Sequence, residues 1–153
     1  MALKPDREEF HYDIRWYMDT PAERGGVVCV STADSGGYPG GANNVVSYAA
    51  APSGKFPIGV LLNDVVDYDP SRMHGNPYRM QTLIGSKVTL IKDGWVTTNM
   101  IESADTPAGG VAAYLGNSGL FTTAGASGVN PKVGQFLGTK DQDGFAPIRI
   151  EIA

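Results

Sequence analysis

Apolar and polar positions alternate along residues 10–18, "FHYDIRWYM". Phe10, Tyr12, Ile14, Trp16 and Met18 share one side of a period-two pattern, with His11, Asp13, Arg15 and Tyr17 on the other. Successive side chains of a strand point to opposite faces, so this pattern predicts an extended strand with one apolar face. "TPAERGG" breaks it, and further strands are predicted over 27–31, 45–49 and 58–62. A longer connection punctuated by Asp69-Pro70 and Asn76-Pro77 follows, in which "RMQTLI" holds a helical turn or two at most.

The remainder reads as hairpins. "KVTLI" and "WVTTNMI" flank "KDG", "VAAYLG" and "LFTTA" flank "NSG", and "VGQFLG" and "FAPIRIEI" flank "TKDQDG". Each connection carries a glycine able to take the positive φ that tight turns need. Three such units predict an all-β chain, an antiparallel barrel or sandwich. Composition agrees: 20 Gly and 10 Pro in 153 residues make nearly a fifth of the chain, above the usual share of about 12%. That abundance favours short strands and turns over long helices.

Charge and cysteine content narrow the chemistry. With 12 Lys and Arg against 16 Asp and Glu, the chain lacks the cationic excess that draws proteins to phosphate backbones, so no nucleic-acid partner is expected. Cys29 is the single cysteine; it excludes an internal disulfide and, set in "GGVVCVST", is expected to be a buried thiol. No apolar run approaches the roughly 20 residues of a membrane helix. "MALKPDREEF" has no hydrophobic signal core. No membrane partner is expected, and synthesis in the cytoplasm is.

Candidate catalytic and metal-binding groups are sparse. "ADSGGYPGGANN", residues 33–44, has no lysine and neither phosphate-loop spacing, so it is expected to be an exposed loop. Asp141-Gln142-Asp143-Gly144 opens like a calcium loop, but Phe145 and Ile152 occupy positions five and twelve, where oxygen ligands are required. The segment is predicted to be a hairpin tip, with its aspartates bonding nearby amides. His11 and His74 lie too far apart in sequence to suggest a zinc site, and no GxSxG elbow occurs. Asp64, Asp67 and Asp69 are expected in a solvated loop, with Arg72 as an ion partner. Trp95, following Gly94, is a packing residue or a platform for a sugar ring. The reading is of a non-enzyme without cofactor or metal.

The aromatic strand admits two roles. Its apolar face packs in the domain's own sheet, or the segment is an edge or arm that pairs with a neighbouring subunit. Residues 1–25 are accordingly set apart as an N-terminal arm or strand, and residues 26–153 as the β domain. Phe10, Tyr12, Ile14 and Trp16 are the candidate contact residues.

From Phe56 onward, four segments carry a family resemblance: "PIGVLLNDVVDYDPSR", "GSKVTLIKDGWVTTNMI", "AYLGNSGLFTT" and "KVGQFLGTKDQDGFAPIRIEI". In this order they resemble the head-decoration, or capsid cement, proteins of tailed phages, the lambda-type group of small β-barrel or β-tulip folds. The resemblance implies a small antiparallel β-barrel or β-tulip with an extended N-terminal strand. It also implies a virion protein on the capsid exterior, with the major capsid protein as partner, self-associated as a homotrimer. Other virion components with small β domains, such as tail-tube, head–tail connector or head-fibre base subunits, form a second reading. A carbohydrate-binding module forms a third.

Overall fold

A computed structural model describes the backbone at residues 3–4 and residues 11–31, 44–67 and 77–152. Phe10, Asp69, Arg72, His74 and the loop 33–43 lie outside the described residues. The strands are β1 (Leu3–Lys4), β2 (His11–Met18), β3 (Val27–Val30), β4 (Val45–Ser47), β5 (Pro57–Leu61), β6 (Asp64–Val66), β7 (Gln81–Leu83), β8 (Lys87–Thr98), β9 (Ala112–Leu115), β10 (Phe121–Thr122), β11 (Lys132–Phe136) and β12 (Ala146–Glu151). Among the described residues helical structure is confined to three-residue turns.

β8 organises the fold. Its 12 residues are long enough to serve four partners. On one edge Thr97 and Thr98 pair with β1, and Lys87 to Asp93 pair with β2. On the other edge Asp93 to Thr98 pair with β12, and Leu90 and Ile91 pair with β5. The first half of β8 thereby closes a five-stranded barrel in the order β8, β2, β4, β3, β5 and back to β8. All its pairings are antiparallel except β2 with β4. The second half extends into a lobe ordered β8, β12, β11, β9, β10. A short parallel pair, β6 with β7, lies beside the barrel, tied through reciprocal backbone bonds between Ala22 and Val65 at 2.8 and 3.0 Å.

Two apolar clusters follow from this layout. One contains Trp16, Met18, Val28, Val46, Leu61, Val88 and Leu90, drawing from every barrel strand, and is the barrel's filling. The other joins Val27, Cys29, Val60 and Ile91 to Val96, Leu115, Phe121, Val133, Phe136, Ile148 and Ile150. It seals the outer faces of β3, β5 and β8 against the lobe. Runs such as "VVCV", buried on both sides, are apolar without alternation because each face meets a different cluster.

The all-β expectation holds, as do the last two hairpins: β9 pairs with β10, and β11 with β12, both antiparallel. The hairpin expected at Asp93-Gly94 is a correction, because β8 runs straight through it. Gly94 does adopt positive φ, +139°. That backbone belongs to a continuous strand, hydrogen-bonded to β12 with Gly94 opposite Ile150. Partners on both edges hold the chain extended where the dipeptide alone favours a turn.

Candidate docking surface

Tyr12, Ile14 and Trp16, three of the contact residues named from sequence, lie where β2 meets β8, beside two bulges in the pairing. Ile91 and Val96 are five positions apart yet enter the same apolar cluster. A regular strand would send them to opposite faces. The register explains how this is avoided. His11 is opposite Asp93 and Tyr12 opposite Ile91, which leaves Lys92 as an extra residue on β8. β2 has its own irregularity. Asp13 is opposite Leu90 and Trp16 opposite Val88, so Ile14 and Arg15 together face a single residue.

The second bulge puts Asp13 and Trp16 on one face, and the carboxylate fills the site thus created. Asp13 Oδ2 accepts from Trp16 Nε1 at 3.0 Å and from Lys92 Nζ at 3.0 Å. Arg15 Nε lies 3.2 Å from the same oxygen, and the Arg15 N–H donates to Oδ1 at 3.2 Å. Burial raises the carboxyl's pKa, but the bonds from Trp16, Lys92 and the Arg15 backbone outweigh it and hold the group below its ordinary value. The Arg15 guanidinium also sits 5.1 Å from the Trp16 ring centroid, within cation–π range.

Of the four named residues, Tyr12 is 54% and Ile14 63% exposed, whereas Trp16 is 6% exposed within the barrel filling. Phe10 lies outside the described residues. The structure thus brings Tyr12 and Ile14 to the surface over a buried Trp16. Asp13 and Lys92, which fix this arrangement, were not singled out by pattern. The signal available for Asp13 was local: an aspartate two residues before an amide it can accept from.

The remaining candidates are dispersed. His11 Nδ1 lies 3.7 Å from Asp93 Oδ2 at an exposed position. Cys29 is buried and its thiol pKa is pushed up to about 11 by that burial, with Lys55 opposing. Asp64 Oδ1 accepts the Arg24 N–H at 2.9 Å, and Asp67 is exposed. Asp141 caps its own turn: Oδ1 accepts the N–H groups of Asp143 and Phe145, each at 2.9 Å. Among the described residues no group of three or more His, Cys, Asp or Glu is arranged to hold a metal ion. No helix there is long and apolar enough to cross a membrane.

Trp95 stands in mid-strand, 39% exposed. A row of facing residues runs from it across the lobe through Arg149 and Gln135 to Ala112. No protein-family model matches this chain, and no curated protein matches its sequence.

Proposed function

We propose that the chain is a viral structural protein that binds the outer surface of a phage capsid and cements neighbouring capsomers, as a homotrimer. The observation that carries this reading is the exposed pair Tyr12 and Ile14, on a strand clamped into a closed barrel. A cement protein transmits load through contacts without turnover, and a barrel suits that task because closure removes free sheet edges. Self-association repeats one weak contact at several points and raises avidity through effective concentration. The order of the four sequence segments from Phe56 onward, which resembles the head-decoration group, supports the same assignment.

The test is cosedimentation with capsids stripped of their exterior proteins. The unaltered protein is expected to decorate them, and Tyr12→Ala with Ile14→Ala to bind at least about 30-fold more weakly, the scale of an interface hot spot of about 2 kcal/mol. Equal binding by the double variant would remove these residues from the contact. Mass measurement of the free protein tests the trimer, and labelling of intact particles separates a head position from a tail component. One observation favours the carbohydrate reading: Trp95 is 39% exposed in mid-strand, paired with Arg149 on β12, which in turn pairs with Gln135 on β11. Glycan binding abolished by Trp95→Ala would establish it.

A further inference from the structure

The sequence of β2 and its observed register describe two different strands. By sequence, Tyr12, Ile14, Trp16 and Met18 share a face. In the fold, Trp16 and Met18 fill the barrel while Ile14 is 63% exposed, because Asp13 takes the position opposite Leu90. Removing the β2 bulge would place Arg15 opposite Thr89, Ile14 opposite Leu90 and Asp13 opposite Ile91. Leu90 belongs to the barrel filling, so Ile14 would join Trp16 and Met18 there and restore the alternation.

We propose that β2 is a two-register strand in which residues 11–13 slip by one position along β8, exchanging Asp13 for Ile14 at the barrel filling. Three observations carry this. Trp16 and Tyr17 keep their partners Val88 and Lys87 in both registers, so the movement is confined to the residues before the bulge. Lys4 and His11 are seven residues apart in sequence, while their partners Thr97 and Asp93 are four apart on β8, a difference that accommodates a one-residue slip with β1 keeping its partners. The two registers also trade one stabilising term for another. The observed one has the bonds that Asp13 accepts from Trp16, Lys92 and Arg15, and the slipped one has the burial of an isoleucine.

Asp13 is then a latch that keeps Ile14 presented, and any partner covering Ile14 selects the latched register. The inference stands on strand registers and holds whatever docks there.

Methyl NOE contacts test it with Ile14 retained. In the unaltered protein the Ile14 methyls are expected to show no NOE to the Leu90 methyls, while Cys29, buried in the second cluster, stays protected from iodoacetamide and reports on global folding. In Asp13→Ala, NOEs between the Ile14 and Leu90 methyls are expected with Cys29 still protected. Their absence with Cys29 protected would overturn the proposal. So would loss of Cys29 protection, because the slipped register must replace the contacts that Asp13 gives up.

Discussion

The ring of Tyr48 lies against Gly119: a Cβ built at position 119 would fall 2.4 Å from Tyr48 Cδ1. The same ring covers Gly26, whose N–H donates to the Tyr48 hydroxyl at 3.1 Å. The hydroxyl in turn donates to the Glu23 carbonyl. Burial of the phenol pushes its pKa up, against the bond from Gly26. One tyrosine after β4 thus fastens the β9–β10 turn to the segment that enters β3. Gly119→Ala forces the ring away and also strains a backbone at φ +77°. We expect a loss of about 3 kcal/mol from overpacking and strain together, read as a lower urea midpoint with unchanged slope. Tyr48→Phe, which keeps the ring and removes only the hydroxyl, should cost about half as much.

Gly134 marks a second close approach, between backbones. A Cβ there would lie 1.9 Å from the Arg149 carbonyl oxygen, inside the β11–β12 pairing where Gly134 faces Ile150. A backbone carbonyl cannot rotate away as a side chain can, so Gly134→Ala should part the two strands locally. The expected cost is about 3 kcal/mol or more. Hydrogen exchange checks it: the amides of β11 and β12 should lose protection while those of β3 and β4 keep theirs.

How far these features were legible depends on whether one strand or several determine them. The alternation of residues 10–18 announced a strand, and local glycine turns announced the β9–β10 and β11–β12 hairpins. The Asp141 tip was readable because a side chain bonding amides two and four residues on is a short-range event. The route of β8 was not. Asp93-Gly94 carries a turn signal that partners on both edges override, and those partners, β12 and β2, lie far away in sequence. For the same reason the parting of Ile14 from Trp16 escaped the pattern. Both were read as contact residues on one face, and only the bulge at Ile14 and Arg15, opposite the single residue between Leu90 and Val88, turns Ile14 out. Trp16, read as a contact residue, is buried because that face of β2 meets the barrel filling.

Two exposed turns repeat one geometry. Ser118 has φ 53° and ψ 33°, and Ser127 has φ 55° and ψ 37°. Each is followed by a glycine at positive φ, 77° at Gly119 and 89° at Gly128. The Leu120 N–H closes on the Asn117 carbonyl at 3.0 Å, and the Val129 N–H on the Ala126 carbonyl at 3.2 Å. These are the dihedrals of a type I′ turn, whose first central position favours asparagine over serine. Ser118→Asn and Ser127→Asn should each stabilise the protein by about 0.5 kcal/mol, seen as a small additive rise in Tm. A fall in Tm for either would show that the serine side chain has a role its backbone does not require.

The latch at Asp13 makes stability depend on acidity in a definite direction. Its folded carboxyl is held below the ordinary value, net of burial, by Trp16, Lys92 and the Arg15 backbone. The charged groups beside it are Arg15 on its own strand and Lys92 on β8, both cations. A carboxylate whose pKa is depressed on folding releases its proton more readily in the native state. Its contribution is therefore fully present above the unfolded value of about 3.9 and is lost as pH falls through the folded value. Thermal melts stepped downward from pH 6 should show Tm falling below about pH 4. In Asp13→Asn, which cannot ionise, Tm should start lower at pH 6 and decline less steeply, so that the two curves converge in acid. Parallel curves would mean that this carboxylate makes no contribution to acid sensitivity and that the ion pair with Lys92 adds nothing to the fold.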